Sequence, residues 1–128
     1  MKSKVLIVDD EIDSLELMQE LFESKGYISE TATNGVEAIN KIKLQEPDIV
    51  LTDIRMPEMD GMQLLNFLIK DHPNIPVIMI TAHGTVEAAV EAMRLGAKDY
   101  ILKPIRLDEI LAKVERITQL NSLIKENE

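Results

Sequence analysis

The chain contains no cysteine, which excludes disulfides, thiolate metal sites and a cysteine nucleophile. That absence fits a reducing compartment, and a cytoplasmic location is expected. Tryptophan is also absent, and only two Phe and two Tyr occur, so bases would find no stacking platform. Positive charge is scarce: 14 Lys and Arg stand against 23 Asp and Glu, a net charge of −9. Such a chain is a poor ligand for a polyanion such as DNA. Long apolar runs are missing as well. The longest, Val5 to Val8 and Val77 to Ile80, are strand-sized, far short of the roughly 20 residues that cross a bilayer. Lys2 and Lys4 precede a short apolar run and then Asp9-Asp10-Glu11, which is not the pattern of a secretory leader. Direct nucleic-acid binding, membrane insertion and secretion are therefore not expected.

What the chain does have is an alternation of two textures. At 128 residues it is sized for one hydrophobic core, and its 45% hydrophobic and 29% charged content is ordinary for a globular domain. Short β-rich runs occur at Val5–Val8, Ile28–Thr33, Asp48–Thr52, Pro76–Ile80 and Tyr100–Leu102. Between them apolar residues recur at helical spacing: Ile12, Leu15, Met18 and Phe22; Val36, Ile39 and Ile42; Leu64, Leu65, Leu68 and Ile69; Val86, Ala89, Val90 and Met93; and Leu107, Ile110, Leu111, Val114 and Ile117. Gly26, Pro47, Pro73, Pro76 and Gly96 sit where helices should end. Strands alternating with helices predict a parallel sheet covered on both faces, a single α/β domain.

The last helix outruns what the sheet needs. From Leu107 to about Ile124 it extends roughly 27 Å at 1.5 Å per residue. Positions 107, 110, 114, 117, 121 and 124 fit an a/d heptad with Asn121 at an a site. A frayed amphipathic terminus and the start of a dimeric linker both fit this pattern. Residues 1–119 are read as the folded domain and 120–128 as an extension of its last helix.

In an open parallel sheet, ligands bind beyond the carboxyl ends of the strands, where the strand order reverses. The first strand ends in Asp9-Asp10, the third in Asp53, the fourth in Thr81 and the fifth in Lys103. Each has a bland explanation on its own. Asp9 or Asp10 could cap a helix, Thr81 could serve strand propensity, and Lys103 could be a solvated terminus. Asp53 is harder to dismiss, because Pro57 and Gly61 put a loop between it and the next helix. Together the five converge on one edge. Clustered carboxylates repel unless a cation intervenes, and Mg2+ prefers one or two carboxylates plus phosphate oxygens. A carboxylate can attack phosphorus to give an acyl phosphate. The transferred group then needs positive charge and hydrogen-bond donors, which Lys103 and Thr81 supply.

With those residues on the page, the chain resembles the receiver domain of two-component response regulators. The motifs are Val8-Asp9-Asp10-Glu11, Asp48 to Asp53 followed by Ile-Arg-Met-Pro57, Met59-Asp60-Gly61, Thr81-Ala82, Gly96-Ala97 and Asp99 to Pro104. The resemblance implies a doubly wound (βα)5, flavodoxin-like domain with a five-stranded parallel sheet in the order 2-1-3-4-5. It implies Asp53 as the phosphoacceptor, magnesium held by Asp10, Asp53 and the backbone carbonyl of Arg55 with Asp9 supporting the metal site through water, Thr81 and Tyr100 as a switch pair, and Lys103 on the phosphoryl group. A cis peptide before Pro104 is implied too. So are a sensor histidine kinase as donor, and an output domain or target protein governed by the fourth helix, fifth strand and fifth helix. Homodimerisation is expected through that face and the last helix. Arg55 and His83 are expected to tune phosphoryl lifetime. The run from Thr81 to Pro104 is similar to receivers of nitrogen-regulation type, which precede a sigma-54-directed ATPase; any transcriptional role is expected to lie outside these residues.

Rival readings make different demands. A haloacid-dehalogenase-like phosphatase wants a carboxylate two residues after the nucleophile, and Arg55 stands there. A flavin-binding domain cradles phosphate in the loop after its first strand, where Asp9-Asp10-Glu11 would repel it. A stand-alone receiver acting by direct protein contact remains a third reading. No enzyme activity beyond phosphotransfer to itself and slow dephosphorylation is expected.

Overall fold

The computed structural model describes residues 3–82 and 86–126. In chain order they form β1 (Lys4–Val8), α1 (Ile12–Ser24), β2 (Ile28–Ala32), α2 (Gly35–Leu44), β3 (Ile49–Asp53), α3 (Gly61–Asp71), β4 (Val77–Thr81), α4 (Val86–Leu95), β5 (Asp99–Leu102) and α5 (Leu107–Glu126). The five strands make one sheet in the order β2-β1-β3-β4-β5, and every pairing is parallel. The order reverses between β1 and β3, the place where such sheets bind ligands.

Strand residues alternate between two cores. Val5, Ile7, Ile49, Leu51, Ile78, Ile80 and Ile101 pack with Leu15, Met18 and Phe22 of α1 and Ile110, Val114 and Ile117 of α5. Leu6, Val8, Val50, Val77 and Met79 face the other way, onto Ala38 and Ile42 of α2, Leu64, Leu65 and Leu68 of α3, and Ala92 of α4. Both sheet faces are dry, which is why β1, β3 and β4 read as unbroken apolar runs rather than alternating ones.

Local chemistry sets the helix ends. Asn34 caps α2 by accepting from the Glu37 N–H at 2.8 Å, and Lys41 and Lys43 suit its C-terminal dipole. α3 opens with a capping box: the Asp60 carboxylate accepts from Gln63 N–H at 2.9 Å while the Gln63 side chain accepts from Asp60 N–H at 3.0 Å. Gly26 and Gly96 follow α1 and α4 with φ of +90° and +128°, the left-handed turn that glycine adopts without a Cβ penalty.

Three expectations need correction. Neither Asp9 nor Asp10 caps α1; the N-cap is Glu11, and its side chain makes no cap bond. The inward face of α4 is Ala89 and Ala92, both fully buried, whereas Val90 is 51% and Met93 38% exposed. Small side chains let that helix sit close to the sheet, so the larger residues turn outward. The Val86 side chain lies outside the described residues. Finally, the first part of the α5 heptad is core: Ile110, Val114 and Ile117 are committed to their own domain, so up to Ile117 the stripe is not open to a dimer seam.

Candidate functional site

The site is assembled by backbone bonds at the carboxyl edge of the sheet. Asp9 leaves β1 with its N–H donated to Ala32 O at 3.1 Å. Ile54, just past β3, donates to Ile80 O at 3.0 Å, and Lys103, just past β5, donates to Thr81 O at 2.8 Å. Four strands therefore deliver Asp9, Asp53, Thr81 and Lys103 to one edge at fixed height. Asp9, Thr81 and Asp53 are buried, while Asp10 is exposed.

A carboxylate oxygen from each of Asp9, Asp10 and Asp53 can be chosen so that all three lie within 4.8 Å of one another. Among the described residues this is the only such acidic or histidine cluster. Among the described residues the cation in contact with it is Lys103, whose Nζ lies 2.6 Å from Asp53 Oδ2, 3.6 Å from Asp9 Oδ2 and 3.7 Å from Glu11 Oε1. The ammonium hydrogen-bonds only Asp53 among these. The second Asp53 oxygen, Oδ1, accepts from the Arg55 N–H at 3.2 Å, so the carboxylate is held from both sides.

Asp9 is the electrostatically uncomfortable member. Its Oδ1 accepts from Glu11 N–H at 2.9 Å, but Oδ2 is buried with no hydrogen bond. Burial pushes the Asp9 carboxyl above the usual carboxylate range, with Asp53 and Glu11 adding to the rise and the Glu11 amide and Lys103 opposing it. Burial works against the charge of Lys103, yet the hydrogen bond and charge of Asp53 outweigh it and hold the ammonium above its ordinary value. An orphaned buried carboxylate oxygen beside two more carboxylates is a donor set that suits a hard divalent cation. Oxygen-only ligands and one open, solvent-facing member, Asp10, favour a metal that keeps water, as Mg2+ does.

The loop after Asp53 is shaped around it. A Cβ on Gly61 would lie 2.2 Å from Asp53 O and 2.9 Å from Ile54 Cα, so only glycine lets α3 start this close to the end of β3. Gly61 N–H donates to Ile54 O at 2.8 Å, closing the loop. A Cβ on Gly35 would meet Met59 Cγ at 2.6 Å, and Gly35 N–H donates to Met59 O at 3.1 Å. The loop is thus pinned to the starts of both α3 and α2. Glu58 within it takes a φ of 64°.

The expected residues are placed as follows. Asp9, Asp10, Asp53 and Lys103 come together, and Thr81 is buried at the adjoining strand end, where its hydroxyl donates to Ala82 O at 3.3 Å. Arg55, two residues on, points its amide, not its exposed side chain, at Asp53. Tyr100 is half-buried on β5, packed toward the α2–α4 side, with Lys113 Nζ 5.9 Å from its ring centroid. The peptide before Pro104 is cis. His83 lies outside the described residues. The contact of Glu11 with Lys103 had no signal in the sequence beyond the side chain's poor fit to an N-cap. The clash that requires Gly61 had none either.

A parallel sheet in this order, with an acidic trio and a lysine on its carboxyl edge, is the receiver form of the flavodoxin-like fold. The chain belongs to the response regulator receiver domain family, which matches residues 5–115. It is 44% identical over 124 residues to the regulatory protein AtoC of Escherichia coli K12, covering 97% of this chain and 27% of that protein. To the DNA-binding transcriptional regulator NtrC of the same organism it is 41% identical over 112 residues, covering 88% of this chain and 24% of that protein. Among solved structures, NtrX from Brucella abortus in complex with ADP superposes with a TM-score of 0.93 at 36% identity, over 98% of this chain and 29% of that one. The receiver domain of a LuxO repressor protein from Vibrio parahaemolyticus superposes with a TM-score of 0.94 at 27% identity, over 100% of this chain and 98% of that one. The chain spans about a quarter of the length of the curated relatives it matches. It is therefore a two-component receiver domain of the type found in NtrC and NtrX. Among the described residues, no helix is long and apolar enough to cross a membrane.

Proposed function

We propose that this domain is a phosphorylation switch in which Asp53 takes a phosphoryl group from a histidine kinase. The observation that carries the reading is the Asp53 carboxylate, gripped by Lys103 Nζ at 2.6 Å and by the Arg55 amide at 3.2 Å, beside two further carboxylates. One Asp53 oxygen attacks phosphorus as the P–N bond to the donor imidazole breaks, and a proton already on the other ring nitrogen of that phosphohistidine leaves a neutral histidine beside the acyl phosphate. Lys103 stays beside the transferred group and offsets its charge. Asp9, Asp10 and Asp53, with the Arg55 carbonyl, would hold Mg2+, which neutralises charge on the phosphoryl oxygens when bound.

The new group carries roughly −1.5 to −2 charge and three acceptor oxygens. Thr81 turns its hydroxyl toward one of them, and Tyr100 moves into the space behind it. The surface formed by α4, β5 and α5 then changes, and an output domain or target protein reads that change. By likeness to its relatives the output is transcription activation of the sigma-54 type, in the cytoplasm. Residues 120–126 are read as an extension of α5 beyond the folded domain. A dimer contact, if α5 supplies one, uses residues beyond Ile117 and the exposed faces of α4 and β5.

The test compares the wild-type chain with Asp53→Asn, treated with a small phosphodonor with and without Mg2+. The wild type is expected to gain one phosphoryl group by intact mass, only with metal, and to lose it to hydroxylamine. A comparable adduct on Asp53→Asn contradicts the reading.

A further inference from the structure

Glu11 stands at the N-cap of α1, where Ser, Thr, Asp or Asn would normally accept a bond from the first amides of the helix. Its side chain makes no such bond. Its backbone is fixed instead by donation to Asp9 Oδ1 at 2.9 Å, and its carboxylate, 66% exposed, sits with Oε1 3.7 Å from Lys103 Nζ. The same ammonium is 2.6 Å from Asp53 Oδ2. A poor capping residue at a helix start, with its charge turned to the reactive lysine, is a local rule broken in favour of the site.

We propose that Glu11 is a positioning and specificity residue that grades phosphodonors by charge, sharing Lys103 with Asp53 and opposing the approach of free dianionic donors. This rests on the reading of Asp53 as phosphoacceptor. Lys103 Nζ lies 3.7 Å from Glu11 Oε1 and 2.6 Å from Asp53 Oδ2, so these two oxygens are at most about 6 Å apart, and at that limit two unit charges in a water-like dielectric change a rate about three-fold. A donor with two negative charges feels about twice that free energy, or about ten-fold in rate. Salt at 0.5 M, with a screening length of roughly 4 Å, removes most of it. A protein donor that brings a cation opposite Glu11 escapes the penalty, so the residue favours partner-borne phosphoryl groups over free acyl phosphates.

The experiment measures phosphorylation rates of the full chain with Mg2+, using acetyl phosphate, a dianion near neutral pH, and phosphoramidate, which carries one net negative charge. The P–O bond of the first or the P–N bond of the second breaks, the bond from Asp53 oxygen to phosphorus forms, and acetate or ammonia departs. At low ionic strength Glu11→Gln is expected to accelerate the first reaction about ten-fold and the second about three-fold, both gains shrinking in high salt. Glu11→Asp keeps the charge, and Glu16→Gln makes the same charge change further along α1; both are expected to stay near wild type. Equal acceleration with both donors, no acceleration, or the same effect from Glu16→Gln overturns the inference alone. A wild-type chain that takes phosphoryl from neither donor overturns the reading of Asp53 and this inference with it.

Discussion

Replacing Asp9 by Asn should make the metal-free domain more stable. Asp9 is fully buried, and one of its oxygens has no hydrogen-bond partner. Its carboxyl is raised by burial first and by Asp53 and Glu11 next, against the Glu11 amide and Lys103. A raised carboxyl binds its proton more tightly folded than unfolded, so ionisation favours the unfolded chain. The stability held by the protonated form is complete below the unfolded value of 3.8 and is lost as pH rises through the folded value. Asn mimics the protonated form at every pH. An unsatisfied buried acceptor costs about 1–3 kcal/mol, and the lost Lys103 attraction offsets part of that, leaving a gain of about 1 kcal/mol. For a domain of this size the gain is about 4 °C in Tm. Calorimetry in EDTA at pH 7.5 should read it, and the difference should shrink as the pH is lowered toward 3.8. Magnesium should reverse the order, because wild type gains about 1.4 kcal/mol at ten times its dissociation constant and the variant gains less. A lower Tm for Asp9→Asn in EDTA, or a difference independent of pH, would refute the reasoning.

Other substitutions probe the remaining parts of the site and fold. Asp10→Asn removes an exposed charge, so it should leave metal-free stability within about 0.5 kcal/mol while weakening the Mg2+ titration midpoint. Gly61→Ala would set a Cβ 2.2 Å from Asp53 O and should lower stability by about 2 kcal/mol or more in urea unfolding. Ile110→Ala should cost about 2–4 kcal/mol, whereas Leu120→Ala, 55% exposed, should stay within about 0.5 kcal/mol; equal effects would mean the α5 stripe is not core.

The fold was legible where chemistry is repeated along the chain. Parallel, doubly covered strands impose unbroken apolar runs, and Val5 to Val8 and Val77 to Ile80 carried that signal to within a residue of the observed bounds. The strand-end residues were legible because a parallel sheet sends every carboxyl end to one edge. Periodicity failed where it counts apolar residues without weighing their size. On α4 it chose Val90 and Met93 over Ala92, although close approach to a sheet favours the small side chain. On α5 one apolar stripe served two readings, core and dimer seam, and only packing decides between them. The Glu11 to Lys103 contact joins residues far apart in the chain, and its one local sign is a glutamate standing at an N-cap.

The most direct test is to trap the phosphoryl group where it lands. Borohydride reduces an acyl phosphate to an alcohol and converts a phosphorylated aspartate into homoserine, which peptide mass mapping locates to a single position. After treatment with a small phosphodonor and Mg2+, the expected result is homoserine at position 53 alone, and none in EDTA. Homoserine at another carboxylate, or at position 53 with equal yield in the absence of metal, would contradict the assignment of Asp53 as the metal-dependent phosphoacceptor.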